Sequence, residues 1–354
     1  MSTCIQASDW LGTQRLLIAK RVAAICSDLL SGSGHRDKIA PASVESRIAD
    51  HISHISEALA VDSPEMFGDY LDWARGYSEA HGVSTRRFRE ELVALRQYFA
   101  DRSADDPLDP VCRLLDESLA GLPRSGTGEP RSFLDDPQAP LAGLAREYLE
   151  RLLDGDRRSA SCLILAAAER GTPVADLYLH VFQRCQYEIG RLWQVNRLSV
   201  AQEHYCTAAT QLIMSQLYPY VFAGERRGRT LLATAVQGDL HELGIRMVAD
   251  LFEMHGWDTH YLGADTPIEA VVGTVRLHRP NVLSISATLS GHVRQVTELV
   301  REVRECHECK NVKIIVGGHA FRCSGTLWRK TGADATACDA LDAIRVADEL
   351  CPAV

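Results

Sequence analysis

One histidine stands where a predicted strand passes into a predicted helix, in the stretch TAVQGDLHELGIRMV, residues 234–248. Asp239 precedes His241 by two residues and Gly244 follows it by three. A carboxylate beside an imidazole fixes its tautomer and orientation, which leaves the other ring nitrogen to bind a metal. Gly244 would leave room for a large planar ligand at the start of the helix. The spacing alone also fits an exposed loop histidine, or one that caps a backbone carbonyl.

Two more groups of small residues follow later strands. Ser286 and Thr288 end the third predicted strand, and Gly317 and Gly318 end the fourth. The carboxyl ends of parallel strands meet at one edge of a sheet. Hydroxyl groups and an edge without side chains would line a narrow slot there, suited to a polar, elongated ligand tail. The glycine pair alone is also typical of a tight strand-to-helix turn.

The last third of the chain supplies the elements that would position these residues. Short apolar runs predict strands at 229–236, 257–263, 280–288, 312–318 and 333–339. Helical segments lie between them, at 241–255, 267–278, 291–306, 320–330 and 340–350. This alternation predicts a doubly wound parallel sheet. In such sheets ligands bind at the carboxyl ends of the strands, near a topological switch point, and the histidine turn follows the first strand.

The rest of the chain is predicted to be helical. Residues 141–224 read as four helices with short connections, which indicates an antiparallel bundle. A stretch rich in Pro, Gly and Ser around residues 121–140 predicts an exposed linker. Upstream of it, helix-period apolar residues occur at 16–30, 43–59, 66–82 and 85–99. We therefore predict an all-helical domain at 1–125, a linker at 126–139, a four-helix bundle at 140–226 and an α/β domain at 227–354.

A second candidate group lies at one end of the predicted bundle. Ser199 and Gln202 form a capping-box pattern, which places Glu203 and His204 at the start of the fourth helix. Trp193 ends the third helix, so the three side chains can meet. There is an alternative explanation for these residues. Trp193 would then be an ordinary core residue, and Glu203 and His204 would lie exposed to solvent at the start of the helix.

Composition narrows the class of protein. The 354 residues carry a formal charge of −9, which argues against a general polyanion binder. The sequence has neither a signal-peptide pattern nor a membrane-length apolar run, so we expect a cytoplasmic protein without a membrane partner. Eleven scattered cysteines fit reduced, packed thiols. Cys306 and Cys309 form a single CxxC pair, for which a solvated surface is favoured over zinc because no second pair follows.

The ordered set D-x-H-x-x-G, S-x-T and G-G resembles the cobalamin-binding domain of methionine synthase, corrinoid proteins and mutases, over about residues 228–354. The resemblance implies a flavodoxin-like (Rossmann-like) domain with a five-stranded parallel sheet. It further implies that His241 replaces the cofactor's own base as the lower cobalt ligand and that Asp239 orients it. Thr288 stands where the family usually has leucine. The nucleotide tail would contact Ser286, Thr288, Gly317 and Gly318.

The W-x9-E-H pattern of the bundle resembles the light-sensing domain of CarH/LitR-type photoreceptors. This resemblance implies that Trp193, Glu203 and His204 pack around the adenosyl group of adenosylcobalamin, on its upper face. The sequence departs from that family at Gln194, where a histidine usually binds cobalt after illumination. His180 and His204 are candidates to replace that histidine.

The N-terminal helices resemble the globin-like sensor domain of the RsbR type more than a DNA-binding helix-turn-helix. Together with the W-x9-E-H module they resemble the photocobilins, which bind biliverdin alongside cobalamin. Several histidines and arginines of these helices are candidates to bind the biliverdin propionates. The alternative for each of them is that it simply lies on a solvent-exposed helix face. Those candidates are His35, His51, His54, His81, Arg86, Arg87 and Arg89.

The expected function is therefore that of a light sensor and not of an enzyme, and no catalytic residue is assigned. Photolysis of the cobalt–carbon bond would change the conformation and the homo-oligomeric state, with a downstream signalling protein as a further partner. The alternative is a methyl-carrying corrinoid protein of a methyltransferase system, which would not need the W-x9-E-H pattern. A DNA-binding repressor would need a basic recognition helix that the sequence lacks, so we expect no nucleic acid partner.

Overall fold

The computed structural model describes residues 3–31, 44–102, 108–123, 128–222, 225–322 and 324–352. The chain forms two compact units. The first comprises Met1–Glu129, Leu289–Arg294 and His319–Thr331, and the second comprises Pro130–Thr288, Gln295–Gly318 and Gly332–Val354. The four domain bounds given above stay a prediction.

The first unit is built from helices that bury one apolar face each. Four of the five overlap the predicted segments, and the fifth was missed. Phe67, Phe88 and Leu92 are fully buried in its core. Local signals start two of the helices, with a proline at the first turn of α3 and the Ser84 hydroxyl capping α4. The helices are α1 (Thr3–Ser31), α2 (Val44–Ala60), α3 (Pro64–Ala80), α4 (Thr85–Ala100) and α5 (Asp109–Gly121).

The second unit begins with the predicted helical bundle. Its third helix contains a π-helical turn at Leu177–Phe182, between α8 and α9. Tyr148 and Phe182 are fully buried in the core, and the Tyr148 hydroxyl is satisfied by Thr210 at 2.9 Å. The helices are α6 (Ala142–Leu153), α7 (Arg157–Glu169), α8 (Val174–Asp176), α9 (Gln183–Gln194), α10 (Val200–Gln216) and α11 (Tyr218–Val221).

The segment before the bundle is less exposed than its composition suggests. Described residues 128–139 contain neither helix nor strand, as expected for a linker. Leu134 is nevertheless buried in the bundle core, and the Phe133 amide donates to Glu188 Oε2 at 2.9 Å. A polar, Pro-rich composition predicted the lack of regular structure but not this docking.

The α/β part has the predicted five parallel strands, in the order β2-β1-β3-β4-β5. This order places the topological switch point between β1 and β3. The strands are β1 (Thr230–Ala235), β2 (Asp258–Tyr261), β3 (Val282–Ser286), β4 (Lys313–Gly317) and β5 (Ala335–Ala337). The intervening helices are α12 (Leu243–Met254), α13 (Ile268–His278), α14 (Val293–Glu305), α15 (Leu327–Lys330) and α16 (Ala340–Leu350).

Two predictions in this region are wrong. The helix expected at 320–330 is replaced by a 3₁₀ turn at His319–Phe321 and the short α15. Between them the Ser324 hydroxyl accepts from the Thr326 amide at 3.4 Å, a local turn bond that competes with helix formation. Cys309, expected on a solvated surface, is buried, with its Sγ 3.8 Å from the carbonyl oxygen of Val272.

Across the described ranges, every helix is too short or too polar to cross a membrane.

Candidate functional site

The histidine predicted to bind a metal lies on the loop between β1 and α12. After β1 the chain turns so that the Asp239 amide donates to the carbonyl of Val236 at 3.0 Å. Gly238 has a φ of +87°, which glycine adopts without strain. Because α12 begins only at Leu243, His241 stands outside the helix, at the carboxyl end of β1.

A buried carboxylate fixes the orientation of this histidine. Oδ1 of Asp239 lies 2.8 Å from Nδ1 of His241 and accepts the His241 backbone amide at 3.0 Å. Oδ2 accepts the backbone amide of Thr288 at 2.6 Å. Asp239 has no exposed surface, so these donors replace the water that its charge would otherwise bind. The Thr288 amide was missed because a backbone donor has no signature in the sequence.

The His241 ring is held for binding through its other nitrogen. Its side chain is 59% exposed, and within the described residues Nε2 has no hydrogen-bond partner. The hydrogen bond to Asp239 raises the pKa of His241 above its usual value; partial burial opposes this, while the charges of Asp239 and Glu203 add to it. A proton held on Nδ1 by the carboxylate leaves the Nε2 lone pair available to a metal ion.

The loop after β2 also forms hydrogen bonds with the turn that contains Asp239. The backbone amide of Asp265 donates to the carbonyl oxygen of Asp239 at 3.0 Å. The Asp265 side chain in turn accepts the Gly238 amide at 2.7 Å. Segments that follow β1, β2 and β3 therefore all bond to the Asp239 turn, which sits at the switch point of the sheet.

The residues expected to line a slot lie at this carboxyl edge. Ser286 pairs in register with Ala235 of β1 and with Gly317 of β4. Gly318 has a φ of +99°, and a Cβ there would lie 2.3 Å from the carbonyl oxygen of Ala287. Strand packing alone therefore requires Gly318. The contacts of Ser286, Thr288, Gly317 and Gly318 with a ligand tail stay predictions.

Gly244 differs from those glycines because nothing in the fold requires it. A Cβ at this position would meet no atom within 4 Å, and the residue is exposed at the start of α12. The surface beside the His241 turn is thus open, as a large planar ligand would need.

The second candidate group lies at the predicted end of the bundle. Trp193, near the end of α9, is half-buried against the core. The capping box is present, because Ser199 and Gln202 exchange hydrogen bonds at 3.0 and 3.3 Å. Glu203 lies in the first turn of α10, with His204 directly after it.

Glu203 connects this bundle end with the histidine turn. One of its carboxylate oxygens lies 2.5 Å from Nδ1 of His204, and the other accepts the Thr207 hydroxyl at 2.9 Å. Its charge is among those that raise the pKa of His241. The two candidate groups therefore lie within electrostatic reach of each other in the second unit.

Helix α10 also bonds directly to the residue after the histidine. Gln211 Nε2 donates to Glu242 Oε1 at 2.6 Å, and the Tyr261 hydroxyl donates to Glu242 Oε2 at 2.8 Å. A separate bond joins the bundle to α12 further along, where Tyr178 donates to Asp250 Oδ2 at 2.8 Å. Sequence reasoning missed these bonds because the partners are far apart in the chain.

The histidines named as propionate partners have different surroundings. His35 lies outside the described residues. His51 is fully buried with Nδ1 2.8 Å from the Tyr70 hydroxyl, and burial lowers its pKa to about 3. His54 stacks on Tyr70 at 3.7 Å, and burial lowers its pKa to about 4. His81 bonds to the Tyr77 carbonyl at 2.8 Å. Neutral, engaged rings such as His51 and His54 are poor partners for carboxylates.

Two of the named arginines line an open cleft between α1 and α4 in the first unit. The cleft has a volume of about 900 Å³. Arg86 and Arg89 lie on its wall, whereas Arg87 is buried in an ion pair with Glu91. Further lining residues are two cations, two acids and apolar side chains: Arg21, Arg102, Glu90, Asp101, Ile25, Val93 and Tyr98.

Comparison with known proteins identifies the ligand class. A B12-binding domain model matches residues 229–345, and a second B12-binding domain model matches residues 144–218. Dimethylamine corrinoid protein 1 of Methanosarcina mazei is 30% identical over 58% of this chain and 96% of its own length. The chain belongs to the family of cobalamin-binding corrinoid proteins.

Two more relatives show the extent of the likeness. The HTH-type transcriptional repressor CarA of Myxococcus xanthus is 30% identical to this corrinoid protein over 36% of the chain and 43% of its own length. The structure of the Methanosarcina barkeri monomethylamine corrinoid protein has a TM-score of 0.54 at 22% identity, and covers 59% of this chain and 99% of that one. The fold is therefore shared with a solved corrinoid protein.

The residues of the site fit cobalamin. The exposed Nε2 of His241, held by a buried carboxylate, suits a cobalt ligand. The open surface at Gly244 suits the approach of a corrin ring.

Proposed function

We propose that this corrinoid protein is a light sensor that binds adenosylcobalamin between the bundle and the α/β sheet. The observation that carries the proposal is that α10, which begins with Glu203 and His204 at the bundle end, bonds through Gln211 to Glu242, the residue directly after His241, at 2.6 Å. It supports a cofactor placed with one face toward each group. Adenosylcobalamin supplies a cobalt–carbon bond that light cleaves.

Each group has a separate role in this proposal. His241 would hold the cobalt through Nε2, and Asp239 would keep the ring in that orientation. The nucleotide tail lies along Ser286, Thr288, Gly317 and Gly318. Trp193, Glu203 and His204 at the bundle end would pack around the adenosyl group.

The signal follows from the departure of the adenosyl group. A ligand shifts a two-state protein only by the difference between its affinities for the two states. Trp193 and Glu203 would contact the adenosyl group only while it is bound, so its loss would change the balance between the two states. The output is then a change in homo-oligomeric state and in the binding of a downstream signalling protein. The role is non-enzymatic, in the cytoplasm, and needs neither a membrane nor nucleic acid.

The alternative is a methyl-carrying corrinoid protein, and the name of the Methanosarcina mazei relative favours it. The two functions differ in the upper cobalt ligand. A sensor should bind adenosylcobalamin more tightly than methylcobalamin, and Trp193→Ala should remove most of the difference. Equal dissociation constants for the two cofactors, unchanged in Trp193→Ala, would favour the methyl carrier.

We further propose that biliverdin binds the first unit, whose helices we take to be globin-like, in the cleft between α1 and α4. Arg86 and Arg89 would pair with its propionates, while Ile25 and Val93 contact the apolar rings. Absorption titration with biliverdin tests this. Arg86→Gln with Arg89→Gln should weaken binding, whereas Arg96→Gln should not, since Arg96 lies on the same helix but outside the lining of the cleft. Unchanged binding in the double variant would exclude this cleft.

A further inference from the structure

Glu242 follows His241 directly and occupies the N-cap position of α12. Asp, Asn, Ser or Thr at an N-cap usually accepts an amide of the first helical turn. The Glu242 side chain makes no such bond. Its carboxylate is directed to side chains of other elements instead.

Both oxygens of that carboxylate are used by side chains of other elements. Oε1 accepts from Gln211 of α10 at 2.6 Å and Oε2 accepts from Tyr261 of β2 at 2.8 Å. Hydrogen bonds to a charged acceptor are short and about twice as strong as neutral ones. Glu242 therefore ties one bundle helix, one strand and the histidine turn together.

Helix α10 links the bundle end to the Glu242 carboxylate. Glu203, Thr207 and Gln211 recur every four residues and so share one face of the helix. The Thr207 hydroxyl donates to Glu203 at 2.9 Å, and Gln211 bonds to Glu242 one turn further on. The helix that starts beside the upper face of the proposed cofactor thus also holds the turn that supplies the lower ligand.

We infer that Glu242 is a positioning residue for the cobalt ligand, and that the Gln211–Glu242–Tyr261 bridge couples the bundle to His241. The inference rests on the proposed role of His241. A rigid carboxylate one peptide bond from His241 transmits any displacement of α10 to the imidazole. Residues at the start of α10 that would pack beside an adenosyl group are thereby linked to the side chain that would hold cobalt.

Single-bond variants of the bridge test the inference. Gln211→Met and Tyr261→Phe each remove one donor with little change in volume, and Glu242→Ala removes both acceptors. Tyr178→Phe is the matched control, because it removes the bond to Asp250 that also joins the bundle to α12 but lies away from the histidine. The readouts are the dissociation constant for adenosylcobalamin in darkness, the base-off, histidine-on absorption spectrum, and the thermal midpoint of the apo protein.

We expect Glu242→Ala to weaken binding by about 10–100-fold, as for other partners that orient metal ligands, and Gln211→Met and Tyr261→Phe to weaken it less. Adding Gln211→Met to Glu242→Ala should cause no further loss, because the two residues act through one bond. Tyr178→Phe should change binding by less than about twofold, although it lowers the apo midpoint. Variants that lower the midpoint no more than Tyr178→Phe are folded well enough for the comparison.

Two results overturn the inference alone. One is wild-type affinity in Glu242→Ala while His241→Ala loses the histidine-on spectrum. The other is an equal loss of affinity in Tyr178→Phe and Gln211→Met, which would assign the effect to general loosening of the bundle. If His241→Ala itself keeps the wild-type spectrum and affinity, the proposed function fails as well.

Discussion

One carboxylate joins His241 to the end of β3: Oδ1 of Asp239 lies 2.8 Å from the imidazole Nδ1, and Oδ2 accepts the Thr288 amide at 2.6 Å. The direction of the ring is therefore set by a buried carboxylate on the same loop, which is itself bonded to the segment that follows β3.

Asp239→Asn should weaken cobalamin binding by about 10–100-fold, since the amide loses the charge and one of the acceptor oxygens that hold the ring. Equilibrium titration with adenosylcobalamin in darkness measures the effect. Asp339→Asn is the control, because Asp339 caps α16 by accepting the Asp342 amide at 2.9 Å and lies apart from the histidine turn. Equal affinities of wild type and Asp239→Asn would remove Asp239 from the site.

Gly244→Ala should separate binding from stability. A Cβ at Gly244 meets nothing within 4 Å, and alanine favours a helix by about 1 kcal/mol over glycine, so the apo protein should be as stable as wild type or slightly more so. Cobalamin binding should nevertheless weaken, because the methyl group enters the surface that the corrin is proposed to use. Thermal unfolding and cobalamin titration measure the two effects. Wild-type affinity would place the corrin elsewhere.

Gly318→Ala should show the opposite pattern. With a φ of +99° and a Cβ only 2.3 Å from the Ala287 carbonyl oxygen, alanine must shift the ends of β3 and β4. We expect the apo protein to lose at least about 1–3 kcal/mol of unfolding free energy, measured by urea titration. If Gly318→Ala instead unfolds with a free energy close to that of wild type, the strand ends adapt to the added methyl group more readily than the short Cβ contact implies.

Much of this arrangement could be predicted from the sequence because it is local. Alternating apolar runs gave the five parallel strands, and D-x-H-x-x-G gave the turn and its pair of partners. The Thr288 amide and the Glu242 bridge could not be predicted, since they join residues distant in the chain through groups that many positions offer. Helix α5 was missed although Val111, Leu114 and Leu115 form its buried face.

Stability should depend on pH through Asp250. Burial raises the pKa of Asp250 to about 6, against the hydrogen bond from Tyr178 and the charge of Arg246. A raised carboxyl pKa stabilises the fold while the group is protonated, and this contribution is lost as the pH rises through about 6. The loss between about pH 5 and pH 8 is about 1 kcal/mol in the free energy of unfolding.

Asp250→Asn should abolish that part of the pH dependence, because the amide still accepts from Tyr178 but does not titrate. Urea unfolding at pH values on either side of 6 measures it. Asp342→Asn should leave it intact: although burial opposes the shift, hydrogen bonds from the Cys338 amide and Arg345 lower the pKa of Asp342, so that group titrates only in acid. The same pH dependence in wild type and Asp250→Asn would contradict the assignment.

Gln194→His should change the illuminated state. A neutral amide is a poor ligand for oxidised cobalt, so we expect illuminated wild type to lack a ligand from residue 194. The histidine variant should gain an absorption spectrum typical of two imidazole ligands. A wild-type spectrum of that kind that persists in both His180→Ala and His204→Ala would show that our account of the light state is wrong.

The most direct test of light sensing is the molar mass of the adenosylcobalamin-loaded protein, measured by size-exclusion chromatography with light scattering in darkness and after green light. Release of the adenosyl group from Trp193, Glu203 and His204 needs to change an interface by only about 1.4 kcal/mol to shift a dimerisation constant tenfold. We predict that the masses differ between the two conditions over a range of concentrations. Identical masses at every concentration would contradict a sensor that signals through assembly.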